Sequence, residues 1–171
     1  MLFFSIDKLI SDPIMFIGYF SARIAGIIIM SYFLYYQKSF WIWVYICLYV
    51  INYYIIIYLQ KWWKDPRPTN GKQFMKDEFH NSEAYGMPSG HAQTIFFSMI
   101  YFYMITRSIY WLIIMLFIAG CTISQRLIYR KHTLLQIIVG SLIGSLYGYF
   151  TYLWINDYKK NGYLIYNVFS K

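Results

Sequence analysis

Long apolar stretches alternate with short polar ones along this chain, and each apolar stretch approaches the length that crosses a lipid bilayer. A membrane-spanning helix needs about 20 predominantly apolar residues. Five such stretches lie at residues 14–36, 40–59, 89–106, 109–125 and 132–155. The pattern predicts an all-α, multi-pass integral membrane bundle of about five transmembrane helices, formed by a single domain over residues 1–171.

Composition supports the membrane assignment and narrows the partners. The chain is 59% hydrophobic and only 13% charged, whereas soluble domains carry roughly 25% charged residues. The net charge of +8 fits nucleic acid or phosphate-bearing lipids. Because the basic residues are dispersed among apolar spans without a long cationic run, we expect membrane lipids as partners and no nucleic acid.

Arg23 is the one charge deep inside a predicted span, and two arrangements accommodate it. In the first, the side chain faces the interior of the bundle, where a charge in a membrane protein usually finds partners. In the second, residues 1–22 form an N-terminal interfacial helix and the first span begins later. The sequence leaves both open.

The order of the spans places three distant segments on one face of the membrane. The long loop at residues 60–87 lies between spans two and three. Span three crosses away from this face and span four returns to it. Residues 60–68, 88–91 and 126–132 are therefore predicted to meet at one end of the bundle.

The first candidate motif is Pro88-Ser89-Gly90-His91, at the start of span three. Free backbone N–H groups at a helix N-terminus attract anions, and glycine allows a phosphate to approach the backbone. His91 can transfer a proton near neutral pH. The alternative is a helix cap followed by an interfacial histidine.

The other candidates are basic side chains and a second histidine. Prolines flank Arg67, whose guanidinium matches phosphate geometry, although lipid headgroups are an alternative ligand. Arg126 can stabilise a transferring phosphoryl group, and His132 can attack phosphorus. For Arg130 and Lys131 we favour the simpler role of positive flanks. No acidic residue occurs between Glu83 and Asp157.

No histidine–carboxylate grouping has metal-ligand spacing, so the sequence predicts neither a metal nor a cofactor.

Together these segments resemble the phosphatidic acid phosphatase type 2 superfamily of membrane lipid phosphatases. Its pattern is Lys-x6-Arg-Pro, then Pro-Ser-Gly-His, then Ser-Arg-x5-His-x3-Asp. Arg67-Pro68, the Pro-Ser-Gly-His motif, and Arg126 with His132 match it in order. The resemblance implies that His132 is the nucleophile and forms a phosphohistidine, while His91 exchanges protons. The implied phosphate ligands are Arg67, Arg126, Ser89, Gly90 and a nearby lysine.

Three positions depart from the family pattern. Gln60 replaces the lysine, whose charge Lys61 or Lys64 can supply. Gln125 replaces the serine before Arg126. Gln136 replaces the final aspartate.

Gln136 lies four residues after His132 and therefore on the same helical face. Its amide oxygen can accept the proton of one ring nitrogen and fix the tautomer, but it brings no negative charge. His-Thr-x-x-Gln, with Gly-Met-Pro-Ser, resembles the dolichyl-diphosphate phosphatase branch. The expected activity is metal-independent removal of the terminal phosphate from a lipid diphosphate. That branch suggests the endoplasmic reticulum, with the site facing the lumen. A phosphatidate phosphatase, another lipid-phosphate phosphatase and an impaired lipid-binding homologue are the alternatives.

Overall fold

Five α-helices make up the described part of the chain, which contains no strand. The computed structural model describes residues 13–72, 74 and 85–169, with backbone alone for 162–169. The helices are α1 (Pro13–Tyr35), α2 (Ser39–Trp63), α3 (Gly90–Thr106), α4 (Ile109–Ile128) and α5 (Leu134–Phe169). The predicted all-α bundle is confirmed, and the helices lie close to the predicted apolar stretches.

Four of these helices are long and apolar enough to cross a membrane: α1, α2, α4 and the Leu134–Asn161 portion of α5. The exception is α3, whose 17 residues span only about 25 Å at 1.5 Å per residue. It is the central helix of the bundle and packs against all four others. Large apolar side chains such as Ile27, Trp43 and Phe150 cover the outside of the bundle. Such a surface suits the hydrocarbon of a bilayer.

A stripe of glycines brings α5 directly onto the backbone of α3. Gly140, Gly144 and Gly148 lie on one face of α5, spaced by four residues. A Cβ atom on Gly140 would approach the Ser89 carbonyl oxygen to 2.6 Å, and one on Gly144 would overlap the Gln93 carbonyl oxygen. Small residues allow this close approach in membrane bundles. The stripe fixes the start of α3 relative to the segment that carries His132.

Replacement of Gly144 by alanine is expected to lower the melting temperature of the purified protein by several degrees. The added Cβ would force α3 and α5 apart, and overpacking of this kind costs roughly 1–3 kcal/mol. Gly120→Ala is the matched control, because a Cβ there has nothing within 4 Å. Equal melting temperatures for the two variants, measured by thermal unfolding in detergent, would contradict this packing.

α1 is continuous from Pro13, so residues 13–22 belong to the first long helix and not to a separate interfacial helix. Residues 1–12 lie outside the described part. One stripe of α1, which includes Gly18, Ser21 and Ala25, is buried, and α1 packs extensively on α4. The buried residues of α1 thus lie on one side that faces the bundle, and the small ones mark the middle of that side.

Arg23 lies on the opposite side of α1 from that stripe, so the first of the two arrangements left open by the sequence, in which it faces the bundle interior, does not occur. Its side chain is exposed, and its guanidinium lies 5.2 Å from the centre of the Phe20 ring. It lines a groove of about 230 Å³ between α1 and α2, whose walls are otherwise largely apolar. The two helices thus leave a lateral opening that contains one positive charge.

Candidate active site

The three predicted segments meet at one end of the bundle. The side-chain amide of Gln60 donates to the Pro88 carbonyl oxygen at 3.0 Å. Arg67 Nε donates to the Tyr85 carbonyl oxygen at 3.4 Å. These bonds join the end of α2 to the loop before α3. The contacts of His132 join the third segment to them.

His132 is buried, with 4% of its surface exposed, in the loop before α5. Its Nδ1 lies 2.9 Å from the Gly86 carbonyl oxygen and 3.2 Å from Oε1 of Gln136. Since both neighbours are acceptors, Nδ1 must carry the proton. Nε2 then carries the lone pair. The contact expected between Gln136 and His132 is present.

The surroundings of His132 favour the neutral ring. The pKa of His132 is lowered from 6.5 to about 3, mainly by burial and further by the positive charges of Arg67 and Arg126. The hydrogen bonds to Gly86 and Gln136 oppose this shift in pKa. Without a bound anion, His132 is therefore neutral at physiological pH. A neutral imidazole is the form that can act as a nucleophile.

Gln136 is fully buried, and both the oxygen and the nitrogen of its side-chain amide form hydrogen bonds. Oε1 accepts from the Thr133 backbone N–H at 3.0 Å as well as from His132. Nε2 donates to Oδ2 of Asp65 at 2.5 Å and to the Pro66 carbonyl oxygen at 2.9 Å. Asp65 was absent from the predicted site. Its position directly before Pro66-Arg67-Pro68 is the signal that could have identified it.

Arg126 and His91 lie together beside α1. Arg126 is only 3% exposed, and its guanidinium lies 5.7 Å from the centre of the Tyr19 ring. The ring of His91 is hydrogen-bonded to the backbone of Tyr19. The charges of Arg67 and Arg126 act on both histidines, and His132 acts on His91. Both predicted histidines and both predicted arginines thus occupy one small region of positive potential.

The start of α3 completes this region. Ser89 is the N-cap residue and is fully buried, and its backbone N–H donates to the Gln136 carbonyl oxygen at 3.0 Å. Its hydroxyl has no hydrogen-bond partner within the described part of the chain. The first N–H groups of a helix lack intrahelical acceptors. Gly90 packs closely against α2, since a Cβ there would lie 3.2 Å from Ile56.

The two candidate lysines are placed differently from the arginines. Lys61 lies in the last turn of α2, and Lys64 ends that helix in a left-handed conformation with φ of 51°. Both side chains are exposed. Gln60, at the position of the family lysine, holds the Pro88 carbonyl instead of providing a charge. The groups whose charges lower the pKa of His132 are the two arginines.

The fold is that of a multi-pass membrane protein, and the site combines histidines, arginines and a helix N-terminus suited to phosphate. The family model described as the PAP2 superfamily matches residues 41–160, and the chain belongs to this superfamily. Membership implies a phosphatase that acts on lipids in a membrane. Neither the comparison with curated proteins nor that with solved structures found a match.

Proposed function

We propose that this protein removes the terminal phosphate from a polyprenyl diphosphate of the dolichyl type through a phosphohistidine at His132. One observation carries the proposal. The Nδ1 proton of His132 is held by two carbonyl oxygens, so the Nε2 lone pair is available beside Arg67 and Arg126. This is the arrangement that a nucleophilic histidine requires, because the ring stays neutral and its orientation is fixed.

In the first step, Nε2 of His132 attacks the terminal phosphorus of the lipid diphosphate. The bond from phosphorus to the bridging oxygen breaks. His91, which takes up a proton once the negatively charged diphosphate lies beside it, gives that proton to the leaving lipid phosphate. Arg67, Arg126, the Ser89 hydroxyl and the N–H groups around Gly90 bind the phosphoryl oxygens. They stabilise the charge of the transferring group.

In the second step, the neutral His91 takes a proton from water. The resulting hydroxide attacks the phosphorus of the phosphohistidine, and the bond between phosphorus and Nε2 breaks. Inorganic phosphate leaves, and His132 and His91 return to their starting protonation states. One histidine thus serves first as acid and then as base.

We place the lipid chain in the groove between α1 and α2. Its walls are largely apolar, and it opens on the outside of the bundle. Arg23 follows Tyr19, whose backbone bonds to His91, by one helical turn, which is a rise of about 6 Å along α1. A charge at that depth suits the inner phosphate of a diphosphate and would have no equivalent ligand in a monophosphate. This supports a diphosphate over phosphatidate as the substrate.

The substrate is tested by phosphate release from a panel of lipids in mixed micelles with a metal chelator present. We expect polyprenyl diphosphates to exceed both the polyprenyl monophosphate and phosphatidate in kcat/KM by at least about tenfold. One charge-assisted hydrogen bond contributes roughly 1.5–3 kcal/mol, which corresponds to that ratio. Arg23→Met should reduce the ratio of kcat/KM for the diphosphates to kcat/KM for the monophosphate and phosphatidate. A preference for phosphatidate would contradict the proposed substrate and leave the phosphatase assignment intact.

We further propose that the site faces the lumen of the endoplasmic reticulum. The resemblance to the dolichyl-diphosphate phosphatase branch supports this side. The opposite end of the bundle carries Lys38, Arg107 and Lys159. The site end carries more Lys and Arg, but we assign several of these to phosphate binding and not to topology. Arg107 lies 5.9 Å from the Tyr152 ring and Lys159 lies 5.3 Å from the Trp41 ring, so these charges cluster there.

A further inference from the structure

The site contains a carboxylate that the family motif does not place. In the motif, an aspartate follows the second histidine after three intervening residues, and this position is Gln136 here, which has no charge. A negative group from another segment contacts Gln136 instead, because Nε2 of Gln136 donates to Oδ2 of Asp65 at 2.5 Å. The two residues are 71 positions apart in sequence. His132, Gln136 and Asp65 therefore form a continuous hydrogen-bonded chain.

The orientation of the Gln136 amide follows from its neighbours. The Thr133 N–H and the His132 Nδ1–H are donors, so the amide oxygen must face them. The Asp65 carboxylate and the Pro66 carbonyl are acceptors, so the amide nitrogen must face them. A rotated amide would lose all four bonds. The amide is thus fixed as a bridge from a ring N–H to a carboxylate.

Backbone hydrogen bonds of Gly86 also connect Asp65 with His132. The Gly86 N–H donates to the Asp65 carbonyl oxygen at 2.7 Å, and the Gly86 carbonyl accepts from His132 Nδ1 at 2.9 Å. A Cβ on Gly86 would lie 2.6 Å from Oε1 of Gln136. Only glycine therefore leaves room for the amide. The loop before α3 and the segment after α2 therefore both pack against the Gln136 amide.

We propose that Asp65 is a positioning residue that acts on His132 through the amide of Gln136. The inference rests on the proposed role of His132 as the nucleophile. When Nε2 bonds to phosphorus, the ring retains its Nδ1 proton and becomes positively charged. The carboxylate polarises the amide, makes Oε1 a stronger acceptor, and stabilises that charge. Gln136 and Asp65 together thus connect His132 to a negative charge, which the aspartate of the family pattern would bring at position 136 itself.

The first test removes the charge of Asp65 and keeps its shape. Asp65→Asn retains an oxygen that can accept from Gln136, so the contact survives without the negative charge. We expect kcat to fall roughly 10–100-fold, as for other supporting hydrogen-bond partners, with KM nearly unchanged. Asp157→Asn is the matched control, since Asp157 is exposed near the far end of α5 and contacts Asn161. Wild-type kcat in Asp65→Asn would overturn the inference.

The second test moves the carboxylate to the position beside the ring. In the double variant Asp65→Asn with Gln136→Glu, a carboxylate contacts His132 directly and a neutral amide lies behind it. We expect the double variant to recover most of the kcat lost in Asp65→Asn. A purely structural role for Asp65 predicts no such recovery. Failure of the second change to restore kcat would also overturn the inference.

Gln136→Glu alone gives a test that does not depend on the folding of Asp65→Asn. It places two carboxyl groups in contact, and such a pair shares one proton until the pH rises far enough to remove it. We expect activity to decline at higher pH in this variant and to decline less in the double variant. An unchanged pH profile would overturn the inference. Activity in His132→Ala would instead refute the proposed function.

Discussion

Replacement of His132 by alanine is expected to abolish phosphate release from every lipid substrate. The buried ring supplies the nucleophile of the first step, and its removal leaves the arginines able to bind phosphate with no side chain to attack it. Losing a nucleophile costs roughly four orders of magnitude or more in kcat. The measurement is inorganic phosphate released by purified protein in mixed micelles, with thermal unfolding as the check on folding.

Lys131→Ala is the control for this experiment, because it removes an adjacent basic side chain that has no role in the mechanism. It should retain most of the activity. The His132→Ala protein should still bind lipid diphosphate, since Arg67, Arg126 and Ser89 are unchanged. Phosphate release at a tenth of the wild-type rate or faster, in a variant free of wild-type protein, would refute the assignment of the nucleophile.

Replacement of His91 by asparagine should affect the two chemical steps differently. Turnover of lipid diphosphate requires a proton for the leaving group and a base for water, and we expect a loss of roughly 10²–10⁴-fold. Nitrophenolate leaves without a proton. With para-nitrophenyl phosphate, the variant should therefore form the phosphoenzyme and then hydrolyse it slowly. Rapid-mixing absorbance should show a burst of about one nitrophenolate per protein molecule.

The burst amplitude separates this assignment from a simple binding role for His91. A residue that only binds phosphate would slow both steps, and the variant would then show slow turnover without a burst. Wild-type turnover of the lipid substrate would contradict any catalytic role. The double variant with His132→Ala should show neither burst nor turnover.

The helices and the convergence of the three motifs could be predicted from the sequence. Apolar length determines where a chain can cross a bilayer, and alternating spans determine which loops share a face. The two rules together predict that residues 60–68, 88–91 and 126–132 lie at the same end of the bundle. It did not identify α3 as the central helix, because apolar length alone does not distinguish a helix facing lipid from one enclosed by others.

Two features could not be predicted from the sequence: the side of α1 that carries Arg23, and the contact between Asp65 and Gln136. In a bilayer, apolar residues cover both faces of a helix, so the side that carries Arg23 is not defined by hydropathy. The small residues Gly18, Ser21 and Ala25 mark the packed side more reliably. The family pattern has no carboxylate at position 65, and Gln136, the partner of Asp65, is 71 positions away in sequence.

The proposed mechanism requires a covalent phosphohistidine at His132. Trapping this intermediate tests the mechanism directly. His91→Asn should be mixed with a phosphate-labelled substrate, quenched in alkaline denaturant that preserves phosphohistidine, digested, and analysed by mass spectrometry. We expect label on Nε2 of His132 and none in the His132→Ala variant. Label on a different residue, or active protein that never carries label, would contradict this mechanism.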